Sequence, residues 1–218
     1  MPAQFSKRYY DRFYGDDPVH TPERIAHLAA GVHGMCGWLE LPVTSVLDVG
    51  AGPGYWRDWF AEHQPDVAYT GVDVSEYACE RYGHDRRDIT TWCPDDTYDL
   101  VVAQGVIQYL DDTGADAAIE HLAEACDGML YLELPTAFDR VTVIDADHTD
   151  LDVHWRHASW YRDRLAPYFV QFGGGMWIAR RAGVPLYELG PPNAEAPDRR
   201  PAPEPLGARA AESLGSGA

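Results

Sequence analysis

The chain has 218 residues, room for one domain with a substantial core plus a tail. Its formal net charge of −18, with Lys7 as its only lysine, argues against a phosphate backbone as substrate, so no nucleic acid is expected; a neutral or cationic small molecule would not be repelled. No apolar run approaches the ~20 residues of a membrane helix, no basic-then-apolar leader opens the chain, and Cys36, Cys79, Cys93 and Cys126 form no Cys-x-x-Cys pair. The expectation is a cytoplasmic protein with reduced thiols, no membrane partner and no structural zinc.

Residues 5–14, Phe-Ser-Lys-Arg-Tyr-Tyr-Asp-Arg-Phe-Tyr, mix aromatics with charges, and helical spacing puts Tyr10 and Tyr14 on one face with Phe13 beside them. Two readings stand: an amphipathic helix laid over a sheet, or a lid over a site. Gly15-Asp16-Asp17-Pro18 breaks the segment. Thr21-Pro22-Glu23 offers an N-cap and a first-turn proline for a helix through about Leu39, with Ile25, Leu28, Val32 and Met35 as its core stripe.

Val46-Leu47-Asp48-Val49 suits a buried strand and runs straight into Gly50-Ala51-Gly52-Pro53-Gly54, with a helical segment from Tyr55 to His63 behind it. Glycines at a strand-to-helix turn let backbone approach a ligand where a Cβ would collide. A dinucleotide fingerprint needs its third glycine at the sixth position from Gly50, and Tyr55 stands there instead. That speaks against a nucleotide-dependent oxidoreductase on a related sheet.

Asp48 two residues before Gly-x-Gly-x-Gly resembles motif I of the class I S-adenosylmethionine-dependent methyltransferases. The resemblance implies an α/β, Rossmann-like doubly wound sheet of seven strands, mostly parallel with the last strand antiparallel and helices on both faces. It also implies S-adenosyl-L-methionine as cofactor, S-adenosyl-L-homocysteine as product, and Asp48, Gly50, Gly52 and Gly54 at the cofactor. The strand Ala68–Val72 delivers Asp73, 23 residues past Gly50 (73 − 50), beside the glycine loop. By resemblance Asp73 takes both ribose hydroxyls, with Val74 alongside; a helix-capping aspartate is the plainer alternative.

Residues 84–90 read as a short third strand and its turn, where Asp88 and Ile89 resemble the adenine site of the family. Tyr98–Ala103 is an apolar strand of parallel-sheet type. The following stretch matches the fourth motif of the family and places Gln104 under the methionine end of the cofactor. Many relatives carry a histidine pair where this chain has Gln108 and Tyr109, so no base transfers from them. A helix over 113–126 and a fifth strand over 128–134 follow.

The run Asp145, Asp147, His148, Asp150, Asp152, His154 raises a divalent metal, but alternation along a loop does not fix ligand geometry, and no metal is assigned. His154-Trp155-Arg156-His157, at a helix entry, brings imidazole, indole and guanidinium together. His154 is the candidate general base, with Tyr109 beside it; a helix-entry histidine with only packing work is the alternative. Tyr10, Tyr14, Trp155 and Arg156 are the candidate acceptor-binding residues. Residues 168–172 and 176–180, joined by three glycines, read as a closing hairpin.

The organisation expected is an N-terminal helical lid over 1–40, a methyltransferase core over 41–182, and a disordered Pro/Ala/Gly-rich tail over 183–218. The function expected is in-line methyl transfer to an oxygen, nitrogen or sulfur of a small-molecule acceptor. The competing reading is a methyltransferase-like protein that binds the adenosyl cofactor without turnover. The acceptor and the oligomeric state are not written in the sequence.

Overall fold

A computed structural model describes residues 5–15 and 18–186. Two helices, α1 (Lys7–Phe13) and α2 (Pro22–Trp38), precede a seven-stranded sheet. Then come β1 (Ser45–Val49), α3 (Tyr55–His63), β2 (Ala68–Asp73), α4 (Glu76–Tyr82), β3 (Asp85–Arg86) and β4 (Tyr98–Gln104). A 3-10 turn at Ile107–Tyr109 leads to α5 (Asp112–Ala125), β5 (Cys126–Glu133), a short α6 (Asp139–Thr142), α7 (Ala158–Leu165), β6 (Phe169–Gly173) and β7 (Met176–Ala179).

The strand order is β3-β2-β1-β4-β5-β7-β6. β1 to β5 run parallel, while β7 is antiparallel to both β5 and β6. The order reverses between β1 and β4, so the carboxyl ends of those strands and of β2 splay apart and leave a crevice. The doubly wound sheet with an antiparallel last strand matches the expectation.

Both faces are covered, which is why the central strands are near-continuous apolar runs. Successive residues serve opposite faces: Val46, Leu100 and Val102 meet α2 and α3, whereas Leu47, Val49, Val101 and Ala103 meet α5 and α7. By the same alternation Asp48 points to the α2/α3 side, where it is 2 % exposed. Trp56, Trp59 and Phe60 are core on that side, as expected.

α2 begins as expected, with Thr21 Oγ1 accepting from Arg24 N at 3.2 Å and proline in the first turn. Its buried stripe is Ile25, Ala29, Val32 and Cys36. Leu28 and Met35 pack only at its flank, because the helix is rotated to bring small residues against the sheet. Residues 16 and 17 of the expected break, and residues 187–218 of the expected tail, lie outside the described residues. Val184 and Leu186, expected to belong to that tail, pack against the core instead. Among the described residues no helix is long and apolar enough to cross a membrane, and the four cysteines are free.

Candidate active site

The glycine turn between β1 and α3 is fixed from three sides. Gly50 N and Ala51 N both donate to Val72 O, at 2.8 and 3.1 Å, which ties the tip of β1 to β2. Gly52 N donates to Asp73 Oδ2 at 3.0 Å, while Ser75 N donates to Asp73 Oδ1 at 2.8 Å. Behind the turn, the His84 Nε2–H donates to Gly52 O at 2.9 Å. His84 is buried, and burial followed by the nearby Arg57 charge lowers its pKa, which keeps the imidazole neutral.

Gly52 shows why the turn needs glycine. Its φ is +53°, and an added Cβ would meet nothing nearer than Gly50 O at 3.8 Å and Tyr14 Oη at 3.9 Å. It would therefore project into open cavity, the space a ligand lying on the turn would take. At Gly50 the constraint is different: φ is +71° and a Cβ would run into the Val106 side chain.

Above the turn lies a cavity of about 300 Å³ whose walls include Phe5, Tyr9, Tyr10, Tyr14, Gly50, Gly52, Asp73, Val74, Asp88, Ile89, Gln104 and Tyr109. Burial raises the Asp73 carboxyl above its ordinary range, with the Ser75 and Gly52 N–H groups opposing. Each carboxylate oxygen accepts one backbone N–H, so lone pairs remain for two further donors. Thr90 N and Oγ1 engage Asp88 Oδ1 at 2.9 and 2.7 Å, leaving Oδ2 for a ligand. Ile89 is buried beneath it. Gln104 Oε1 accepts from Trp56 Nε1 at 2.9 Å, and its Nε2 donates to Glu133 Oε1 at 3.3 Å.

A smaller pocket on the other side of the turn includes Asp48, Gly50, Gly52, Tyr55, Trp56 and Gln104. Asp48 accepts a hydrogen bond from the Tyr69 hydroxyl. Burial pushes its carboxyl up to about 7, opposed by that hydrogen bond and reinforced by Asp73.

The N-terminal segment forms the roof. Tyr10 and Tyr14 stack with centroids 5.5 Å apart, Tyr10 packs on Tyr77 at 5.3 Å, and Ser75 Oγ donates to Phe5 O at 2.6 Å. Tyr9 and Tyr109 hydroxyls share a hydrogen bond of 2.8 Å, with Phe5 edge-on to Tyr109 at 4.9 Å. Burial pushes the Tyr9 phenol up to about 12 and raises that of Tyr109 as well, so both stay protonated. A second chamber, also about 300 Å³, adjoins the first and shares Tyr9, Tyr14, Gly105 and Tyr109 with it.

The structure places three expected site residues apart from both chambers. His154 is exposed and belongs to a surface groove with Trp155, Arg156 and His157, outside both chambers. Its backbone N donates to Gln108 O at 2.8 Å, so the main chain rather than the imidazole serves the core. Trp155 Nε1 donates to Leu151 O at 3.3 Å and its ring lies under the Arg140 guanidinium. Arg156 is buried and spent on structure: Nε to Asp112 Oδ1 at 2.8 Å, Nη2 to Leu110 O at 2.6 Å and Nη1 to Tyr161 Oη at 3.3 Å. None of the three lines either chamber.

The acid/histidine run forms local turns, with Asp147 N donating to Asp145 Oδ1 and Asp152 N to Asp150 Oδ1. Among the described residues, no group of three or more His, Cys, Asp or Glu side chains converges as a metal site would require. Phe5, Tyr9, His20, His84, Gln108 and Glu133 were not anticipated. Phe5 and Tyr9 carried a signal as part of the aromatic segment 5–14, and Gln108 as one of the two positions where relatives carry a histidine pair.

A family model described as a methyltransferase domain matches residues 20–178. The chain is 28% identical over 137 residues to a trans-aconitate 2-methyltransferase of Variovorax paradoxus, covering 59% of this chain and 53% of that protein. It spans about half the length of the curated relatives it matches. Among solved structures it resembles an S-adenosylmethionine-bound amino pentose methyltransferase from Micromonospora echinaspora, with a TM-score of 0.55 at 15% identity over 80% of this chain and 97% of that one. It also resembles a magnesium protoporphyrin IX methyltransferase from Synechocystis with bound S-adenosylhomocysteine, with a TM-score of 0.51 at 20% identity over 82% and 95%. The strand order, the glycine turn with its aspartate, and a family match over most of the described chain agree: this chain belongs to the methyltransferase-domain family, within the class I S-adenosylmethionine-dependent superfamily.

Proposed function

We propose that the protein is an S-adenosylmethionine-dependent methyltransferase acting on a small-molecule acceptor in the cytoplasm. The observation that carries the reading is the Asp73 carboxylate, which holds the amide of Gly52 at the edge of an open cavity while keeping lone pairs for a ligand. In this reading Asp73 accepts the ribose hydroxyls, Asp88 accepts from the adenine amine, and Ile89 and Val74 cover the ring. Gly50, Gly52 and Gln104 line the path toward the methionine end, near Asp48, while Gly54 opens α3 behind them at φ +82° with the Arg57 guanidinium against it. When bound, the cofactor supplies a sulfonium methyl for in-line displacement.

The chain supplies alignment, exclusion of water and a junction between two chambers. The phenols of Tyr9 and Tyr109 stand at that junction, shared by both cavities. Their pair retains one hydroxyl proton beyond the shared bond, which positions an acceptor heteroatom rather than deprotonating it. Tyr10 and Tyr14 complete the wall, and the segment through residue 40 serves as the lid. A carboxylate acceptor of the trans-aconitate kind, suggested by the relatives' printed name, is one competing reading.

Thermal-shift titration decides the cofactor, because a ligand that prefers the native state raises its melting point. S-adenosylhomocysteine should raise it in a saturable way and NAD should not; the reverse pattern would overturn the assignment. Incubation with methyl-labelled cofactor and a panel of metabolites then reports the methylated product. A protein that binds S-adenosylhomocysteine yet labels no acceptor in such a panel would support the binding-only alternative.

A further inference from the structure

The second chamber has a chemical character of its own. Its apolar wall is Phe13, Val19, Leu134, Pro135, Val143 and Ile144. Three carboxylates line it, those of Glu133, Asp139 and Asp150, and among the described residues no lysine or arginine does. Its two histidines are each engaged with an acid: His20 Nε2 lies 3.1 Å from Glu133 Oε1, and His148 Nδ1 lies 2.9 Å from Asp145 Oδ2. Burial opposes ionisation of Glu133, yet the His20, Tyr131 and Gln104 partners hold its carboxyl down to about 2, so it is ionised at any working pH.

A second, independent feature points to a missing donor. Gln108 lines the chamber, is 6 % exposed, and its Oε1 has no hydrogen-bond partner among the described residues. A buried amide oxygen without a donor is rare in a folded protein, and a ligand N–H satisfies such a group. Its Nε2 lies beside Gly105 at the chamber wall, and a turn of the amide about its broad terminal torsion would present the oxygen to a ligand there. Acceptor oxygens thus predominate on the polar wall. A carboxylate placed there would set acceptor against acceptor and negative charge against negative charge, whereas an ammonium brings three donors and the complementary charge.

We propose, resting on the methyltransferase reading above, that the acceptor carries an ammonium group, seated in the second chamber by Gln108 and the carboxylates of Glu133 and Asp150, with an apolar body against Leu134 and Ile144. The ammonium is a binding handle. The methylated atom is a separate heteroatom that reaches the Tyr9–Tyr109 junction. Its lone pair forms the bond to the methyl carbon as the carbon–sulfur bond breaks; the sulfur keeps that electron pair as a neutral thioether, and any proton on the heteroatom leaves to water.

The test uses probes that share one body and one phenol and differ only at the tail: tyramine, the neutral alcohol tyrosol, and 3-(4-hydroxyphenyl)propanoate. Calorimetry first establishes saturable S-adenosylhomocysteine binding to the full chain; if that fails, the methyltransferase reading falls at this step. On the saturated protein, tyramine should bind roughly tenfold or more tighter than tyrosol, and the propanoate most weakly. The preference should persist in about 0.5 M salt, where a screening length of about 4 Å removes the field of the distant surface charges. Asp150→Asn should reduce the tyramine preference severalfold while leaving tyrosol unchanged, and Glu62→Gln, outside both chambers, should not. Equal binding of tyramine and tyrosol, tighter binding of the propanoate, or no tyramine binding at about 5 mM would each overturn the ammonium assignment while leaving cofactor binding intact.

Discussion

Asp73 Oδ2 accepts the amide hydrogen of Gly52 at 3.0 Å, so the acid at the tip of β2 and the middle glycine of the turn after β1 form one unit. The contact sets the turn's conformation before any ligand arrives, and it leaves the carboxylate facing the cavity. Asp73→Ala removes an ionic acceptor from two buried N–H groups and from the ligand. S-adenosylhomocysteine affinity should fall about 10- to 100-fold, from the ~1.5–3 kcal/mol of hydrogen bonds to a charged group. Calorimetry showing an unchanged Kd would refute the ribose assignment.

Gly52 separates backbone strain from occupied space. At φ +53° an L side chain costs about 1–2 kcal/mol, while nothing among the described residues blocks a Cβ there. Gly52→Val should therefore unfold at a melting point only a few degrees lower, with its far-ultraviolet dichroism retained. Its S-adenosylhomocysteine binding should be lost, because the branched side chain fills the place of the ligand. A variant that binds normally would show that the cavity above Gly52 is not the cofactor site.

Asp48 gives a pH signature. Its pKa is pushed up to about 7 in the folded protein, above the ~3.9 of a free aspartate, so the folded state holds the proton more tightly than the unfolded one. That contribution to stability is complete below about pH 4 and is lost as pH climbs through about 7. The ceiling is about 4 kcal/mol from a shift of roughly three units. Asp48→Asn keeps an oxygen for the Tyr69 hydroxyl and removes the titration. Its melting temperature should decline less than that of the parent between pH 4 and pH 7, and should equal or exceed it at pH 8. Parallel curves for the two proteins would show that Asp48 does not titrate in this range.

Legibility in the sequence followed the range over which each residue's role is set. Asp48, the three glycines and Asp73 lie at strand ends next to a turn, so local chain geometry alone places them; Gly50, Gly52 and Asp73 line one cavity, and Asp48 lies in the pocket beside it. The doubly wound sheet with its antiparallel last strand came through the resemblance carried by the glycine turn, and the observed sheet agrees with it. His84 was opaque because its part, bracing Gly52 O from behind, depends on β3 lying beside β2. Gln108, His20 and Glu133 meet only where the turn after β4, the chain before α2 and the end of β5 converge. The His154-Trp155-Arg156 cluster misled because polar, aromatic residues at a helix entry suit a reacting group and a structural brace equally well. Which one they serve depends on the direction in which the loop leaves the sheet.

The Tyr9–Tyr109 pair predicts a role without proton abstraction. Burial raises both phenols, that of Tyr9 to about 12, so neither ionises near neutral pH. Tyr109→Phe should lower kcat about tenfold through lost alignment at the junction, while the shape of the pH–rate profile below pH 9 stays the same. An alkaline limb that disappears in the variant would make Tyr109 a base after all.

His154 and Arg156, adjacent but for one residue, should respond in opposite ways to removal. The His154 imidazole is exposed in a groove outside both chambers, so His154→Ala should leave kcat, KM and the pH–rate profile unchanged. Arg156 donates to Asp112, Leu110 O and Tyr161 Oη beneath the Trp160 ring. Its loss strands buried acceptors next to the 3-10 turn that carries Gln108 and Tyr109. Arg156→Ala should cost about 2–3 kcal/mol in denaturant unfolding, and Arg156→Lys should restore only part, since an ammonium cannot span three partners in a plane. Acceptor KM in Arg156→Lys should stay close to the parent value under conditions where the variant is fully folded. A large rise in that KM with stability intact would return Arg156 to the acceptor site and place the chemistry in the outer groove.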